Sequence, residues 1–61
     1  MPISGKEMKR LFERAGWEFV RQKGSHAILQ KLGNPIAIIP MHKELAKGTE
    51  AKLLKQLMES D

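Results

Sequence analysis

The sequence predicts a small α+β domain with the element order helix–strand–strand–strand–helix. Three observations predict it. An amphipathic pattern with a capping signal opens the chain, three short β-rich runs punctuated by glycine and proline fill its middle, and a leucine-spaced pattern closes it. The simplest packing of these elements is a three-stranded antiparallel meander with both helices on one face.

The first helix is expected over residues 5–15. Ser4-Gly5-Lys6-Glu7 is a capping box, with Ser4 as N-cap and Glu7 reaching back to it. Met8, Leu11, Phe12 and Ala15 follow at i, i+3, i+4 and i+7, which makes one apolar stripe, and Gly16 suits the helix end. Lys6, Lys9, Arg10 and Arg14 are left on the other sides and read as a solvated face. Trp17–Gln22 is aromatic and β-branched and reads as the first strand, with Trp17 and Phe19 assigned to the core. Lys23-Gly24 turns the chain into a second strand, His26–Leu32. Gly33-Asn34-Pro35 is a strong turn signal, and Ile36–Ile39 is the third strand, ended by Pro40. Residues 41–47 read as a polar connection. Gly48 or Thr49 is the expected cap of a second helix, with Leu53, Leu54, Leu57 and Met58 on one side.

A turn centred on Asn34 makes paired residues of the second hairpin sum to 68. Leu32 then faces Ile36, Ile28 faces Pro40, and the extended ladder sets His26 opposite His42. Both faces of such a sheet are partly apolar. One carries Ile28, Leu32, Ile36 and Ile38, and the other Ala27, Leu29, Ala37, Ile39 and Met41. Helices cover one face only, and the pattern leaves open which. The uncovered face is either ordinary exposed aliphatic surface or a docking surface.

The chain has 61 residues, which is room for a single domain over 1–61. There is no space for a cofactor-binding fold or an enclosed substrate cavity, and no cofactor is expected. Cysteine is absent, which removes disulfides and thiolate metal sites. The opening lacks the apolar stretch of a signal peptide, and the longest apolar run, Ile36–Ile39, is too short to span a bilayer. A cytoplasmic protein with no membrane association is the expectation. The net charge of +4, eleven Lys and Arg against seven acids, favours a polyanionic partner.

Candidate chemistry concentrates in Lys23-Gly24-Ser25-His26. A glycine admits close approach of backbone to phosphate, a lysine supplies charge, a serine a hydrogen bond, and a histidine a proton carrier near neutrality. RNA cleavage through the substrate's own 2′-hydroxyl needs those functions and no metal. No P-loop, dinucleotide fingerprint, zinc motif or nucleophile elbow is present, and two histidines alone make a poor metal site.

Over nearly the whole chain, from about Ser4 to Met58, the sequence resembles the HicA family. The resemblance is carried by Ser4-Gly5-Lys6-Glu7, Ala15-Gly16-Trp17, Arg21-Gln22-Lys23-Gly24-Ser25-His26, Ile39-Pro40-Met41-His42, and Lys47-Gly48-Thr49 leading into Leu53-Leu54-Lys55-Gln56. It implies a double-stranded-RNA-binding-domain-like fold. It implies a toxin of a type II toxin–antitoxin system, an endoribonuclease that cleaves mRNA and halts translation, with His26 as general acid and base. It also implies a HicB-type antitoxin as partner, in a toxin–antitoxin hetero-oligomer or beside a homodimer. Lys23, Gly24, Ser25, His42, Lys43 and Lys47 are the candidate RNA-binding residues, the antitoxin is expected to set acidic groups against the lysines, and no metal site is expected. Leu29, Ile39 and Met41 are candidate apolar anchors for the antitoxin if theirs is the bare face. One departure is Ala27-Ile28-Leu29 after the histidine, where members often carry polar or aromatic residues, which reduces the substrate contacts of the second strand.

Two other readings compete. One is a non-catalytic RNA-binding domain of the same fold, against which the start of the second helix, Gly48-Thr49-Glu50-Ala51-Lys52, lacks a dense lysine cluster and carries Glu50. The other is a protein-interaction module acting through the bare sheet face.

Overall fold

Ser4 accepts a hydrogen bond from the Glu7 amide at 3.0 Å, and the Glu7 carboxylate accepts one from the Ser4 amide at 3.1 Å. This reciprocal cap starts helix α1, Gly5–Arg14, in the computed structural model, which describes residues 3–60. Met1, Pro2 and Asp61, which the sequence reading includes in its domain and its opening segment, lie outside the described residues.

The other end of α1 closes just as locally. Gly16 takes φ 94°, the Gly16 amide donates to Glu13 and the Trp17 amide to Phe12, which is the Schellman arrangement. Its accompanying apolar contact is the edge-on pair Phe12–Trp17, with ring centroids 5.0 Å apart.

Three antiparallel strands follow, β1 Glu18–Lys23, β2 His26–Gln30 and β3 Ala37–Pro40, in sheet order β1-β2-β3, and helix α2, Lys47–Glu59, completes the expected helix–strand–strand–strand–helix order. Side chains of β2 and β3 alternate. Ala27, Leu29, Ala37 and Ile39 are fully buried and pack with Met8 and Phe12 of α1, Trp17, Leu45 and Leu53 of α2. Both helices therefore lie against that one face. Burial of a large apolar side chain contributes roughly 1.5–3 kcal/mol, whereas the helical ion pair Lys9–Glu13 at 3.4 Å belongs to a class worth about 0.3–0.5 kcal/mol. The apolar layer, not surface charge, holds the fold.

The observed sheet corrects several expectations. Partners in the second hairpin sum to 66, not 68: His26 pairs with Pro40, Ile28 with Ile38 and Leu29 with Ala37. The cause is the turn. Gly33, not Asn34, takes the left-handed conformation, φ 82°, and the Asn34 amide donates to Lys31 at 3.0 Å. Glycine fits the third position of such a turn without a Cβ penalty. A two-residue change of partner keeps the strand residues on their expected faces, but Leu32, 100% exposed, lies in the turn, and Ile36 and Met41 lie outside the strands. The pairing of His26 with His42 does not form.

The bare face is the one carrying Ile28 and Ile38. Leu29 and Ile39 are core and Met41 is partly buried against it, so these three are not available as a docking anchor. Met58 is 84% exposed and does not join Leu53, Leu54 and Leu57 in packing.

The second helix also starts earlier than expected. Ala46 holds the cap position with no side-chain bond, so neither Gly48 nor Thr49 is the cap. Tertiary bonds decide this start. Leu45 is buried and its amide donates to the Ile3 carbonyl, while Glu50 accepts from the Ile3 amide at 3.0 Å. Clamped on both sides of residue 46, the chain turns helical at Lys47.

Gly5 is where α1 meets the sheet. A Cβ there would lie 2.0 Å from the Pro40 carbonyl oxygen and 2.8 Å from the Met41 Cα. Gly5→Ala is expected to cost about 3 kcal/mol or more, since backbone atoms must shift to admit the methyl. Gly48→Ala, with nothing within 4 Å of the added carbon, is expected to be neutral or to stabilise by up to about 1 kcal/mol through helix propensity. Urea denaturation followed by circular dichroism checks both, and equal effects would contradict the close approach.

Acid should weaken the cap of α1. The Glu7 carboxyl is held below its ordinary value of 4.5, first by the hydrogen bond from the Ser4 backbone and then by the Ser4 side chain. A depressed native value means the contribution is complete above the ordinary value and is lost as pH falls through the lowered one. Glu7→Gln should therefore flatten the acid limb of the stability curve, where the loss sets in as pH falls below the ordinary value of 4.5, read as melting temperature against pH.

Candidate functional site

A two-residue loop, Gly24-Ser25, joins β1 to β2. Gly24 takes φ 60° and Ser25 does not have a positive φ, the pattern of a II′ hairpin turn with glycine first. The loop leaves Lys23 and His26 as directly opposed partners. Opposed residues of an antiparallel pair share a face, so Lys23 and His26 project together on the side the helices leave bare.

Arg21 joins them because of a β-bulge. Phe19 pairs with Leu29 and Arg21 with Ile28, so Val20 is the extra residue of β1. Strict alternation would set positions 19, 21 and 23 on one face. The bulge reverses the phase between 19 and 21. Phe19 stays on the helix side but is 39% exposed, outside the core expected for it, with the Lys9 ammonium 4.6 Å from its ring centre, and Arg21 moves to the face of Ile28. Beyond Arg21 the basic surface ends at Glu18, whose carboxylate accepts from Gln30 at 3.1 Å.

His26 is exposed and stands between two shallow concavities. The first, about 570 Å³, is lined by Arg21, Lys23, Gly24, Ile28 and Ile38 beside His26. The second, about 300 Å³, lies between β3 and α2 and includes Pro40, Thr49, Lys52 and Gln56. His26 and Ile38 line both. The rear of the histidine is fixed by backbone, since the Met41 amide donates to Ser25 at 2.6 Å and the Gly5 amide to His42 at 2.9 Å.

Lys23 and Gly24 thus meet His26 as expected, with Ser25 in the loop between them. His42, Lys43 and Lys47 are exposed but line neither concavity. Arg21, Thr49 and Lys52 are named in the sequence for other reasons and are not among the expected site residues. Arg21 was hidden by the bulge. Thr49, Lys52, Leu53 and Gln56 do carry a signal, the i, i+3, i+4, i+7 spacing of one helix face, but nothing in that spacing says the face borders the histidine. Only one residue of the departure Ala27-Ile28-Leu29 reaches this surface, because Ala27 and Leu29 are core.

Chemically the site offers one imidazole, three flexible or forked cations and an apolar floor, all open to solvent. Such a surface attracts polyanions and presents an imidazole that can donate or accept a hydrogen bond. Among the described residues, no group of three or more His, Cys, Asp or Glu side chains gathers as a metal site. No helix among them is long and apolar enough to cross a membrane.

Fold and site together define a small basic α+β protein whose exposed histidine and neighbouring cations lie on an open surface. Residues 5–58 match the family of HicA toxins of bacterial toxin–antitoxin systems. The chain belongs to that family, and its role is that of a toxin paired with an antitoxin. No curated protein sequence matches the chain.

Gly24→Ala would force a side chain into the left-handed region, at about 1–2 kcal/mol. Gly24→Asn should be better tolerated, since asparagine visits that conformation readily. Thermal melts of the two variants check this order, and a melt for Gly24→Ala equal to that of the unsubstituted protein would contradict the turn.

Proposed function

We propose that this toxin is a metal-independent endoribonuclease that cleaves mRNA and so halts translation, acting as a single HicA-like domain with His26 as its general acid and base. The observation that carries the reading is the placement of an exposed histidine beside Lys23 and Arg21 on the bare sheet face of a HicA-family chain. The nucleophile is the substrate's 2′-hydroxyl. His26 accepts its proton as the oxygen attacks the adjacent phosphorus. The phosphorus bond to the 5′-oxygen breaks, and the imidazolium returns the proton to that leaving oxygen. The products are a 2′,3′-cyclic phosphate and a 5′-hydroxyl. Lys23 and the Gly24-Ser25 loop, the nearest candidates to the histidine, offset charge on the phosphoryl oxygens. His42, Lys43 and Lys47 extend the basic surface toward more distant phosphates.

His26→Ala is expected to lower cleavage by ~10²–10⁴-fold and abolish growth arrest, with an unchanged circular dichroism spectrum. Cleavage by the unsubstituted protein should persist in EDTA, leave cyclic or 3′-phosphate ends, and spare DNA, which lacks the attacking hydroxyl. Full toxicity of folded His26→Ala, strict Mg²⁺ dependence, or 5′-phosphate products would refute the mechanism.

The antitoxin, in this reading of the HicB type, covers the His26 face and sets acidic groups against Lys23, Lys43 and Lys47. Charge complementarity of this kind speeds capture of a free toxin. Its apolar contacts fall on Ile28 and Ile38. Amide exchange of the complex should show protection at residues 23–28. Protection restricted to the outer sides of the helices would mean that inhibition works elsewhere.

A further inference from the structure

The two concavities that flank His26 have the same construction. Each has an apolar floor, with Ile28 and Ile38 in one and Ile38 and Pro40 in the other, and each has a cationic wall. The walls come from different elements. Arg21 and Lys23 of β1 stand on one side of the histidine and Lys52 of α2, beside Thr49, on the other. Their volumes, about 570 and 300 Å³, fall within or at the edge of the roughly 300–1,000 Å³ typical of small-ligand sites. Because His26 and Ile38 border both, a chain crossing the histidine would enter one concavity as it leaves the other.

The second wall is a built feature. Leu53 anchors α2 in the core, and the Gln56 side-chain amide donates to both Pro35 at 3.2 Å and Ile36 at 3.1 Å. Those bonds hold α2 against the entry to β3. Helical spacing then sets Thr49 and Lys52 toward the same strand, one turn or less from Leu53. Among the described residues the ion pair is Lys9–Glu13, on the far helix, so the Lys52 and Arg21 cations have no carboxylate neutralising them there.

We propose that α2 supplies half of a two-sided site for single-stranded RNA. Lys52, with Thr49, binds the backbone on one side of the phosphate at His26, and Arg21 with Lys23 binds it on the other. The bases rest on Ile28, Ile38 and Pro40. This inference rests on the ribonuclease reading for the place of the scissile phosphate, and it adds the direction in which RNA crosses the sheet. Single strands suit the site because unpaired bases can lie on an apolar floor while cations follow the backbone. A rigid duplex cannot drop bases into two shallow hollows either side of a ridge. The charge of the walls favours RNA over an apolar peptide, and the apolar floor favours a strand with free bases over bare polyphosphate.

The test uses His26→Ala protein, which binds without turnover, and a fluorescein-labelled random-sequence RNA dodecamer, followed by anisotropy across a KCl series. Lys52→Ala and Arg21→Ala should each weaken binding about three- to tenfold and reduce the slope of log K against log salt by about 0.7, the value for one phosphate contact on a single strand. Lys52→Arg should restore both. Lys55→Ala, on the same helix with the same charge but lining neither concavity, should leave the slope unchanged. The same sequence pool annealed to its complement should bind more weakly than the single strands. An unchanged slope in Lys52→Ala, an equal loss in Lys55→Ala, or stronger binding of duplex overturns the two-sided site. Absence of RNA binding overturns it as well, and binding of an acidic antitoxin in the same Lys52-dependent way without RNA affinity would assign the wall to protein docking. Cleavage by the unsubstituted protein separates the two readings. Cleavage with Lys52-independent binding removes this inference alone, and Lys52- and Arg21-dependent binding without cleavage removes the ribonuclease reading alone.

Discussion

The contact of Gly5 with the end of β3 is the constraint on which the arrangement around His26 depends. A helix can approach a strand's backbone this closely only where it carries no Cβ, and at Gly5 the Pro40 carbonyl occupies the space a methyl would need. With α1 seated there, the Gly5 amide reaches the His42 carbonyl and the Met41 amide reaches Ser25. Three segments distant in sequence are thereby joined by backbone groups directly behind the histidine. The support is backbone hydrogen bonding rather than long side chains, so His26 can be exposed and still be held in place. The burial of Met8 and Phe12, one and two turns further along α1, follows from the same seating.

A sheet of three short strands has one face to pack and one to spare. The packed face uses small and large residues in alternation across β2 and β3, Ala27 and Ala37 beside Leu29 and Ile39, which lets both helices come close. The spare face keeps Ile28, Ile36 and Ile38, with Ile38 50% exposed and Ile36 56%. In a chain this short such exposure works against solubility unless a partner or a charged fringe offsets it. Arg21, Lys23 and Lys52 form that fringe. They act over about 10 Å at moderate ionic strength.

The bulge at Val20 decides the electrostatics of the surface. It twists the β1 edge, which discourages edge-to-edge pairing, and it turns one cation to the histidine's side while leaving Phe19 under Lys9. An irregularity in the ladder thus serves stability at the edge and charge at the site together. The first turn of α2 is comparable. Tertiary bonds from Ile3 start the helix at Lys47, and Thr49, relieved of capping, falls where it can line the site.

The sequence by itself determined much of what depends on neighbours within about one helical turn or one hairpin loop. The capping box at Ser4–Glu7, the helix end at Gly16, the order of five elements, the split of aliphatic residues into two alternate faces and the meeting of Lys23 with His26 across a two-residue loop are all local consequences of side-chain period and glycine placement. Only the tertiary structure decided which face was covered, because both were apolar enough to pack and the choice belongs to the helices. It also decided the register that separates His26 from His42, since adjacent Gly33 and Asn34 both tolerate a turn and only the assembled hairpin selects between them. Arg21 and Lys52 became neighbours of the histidine through a bulge and through helix packing. Both are set by contacts between residues far apart in the chain, and periodicity along one segment carries no record of them.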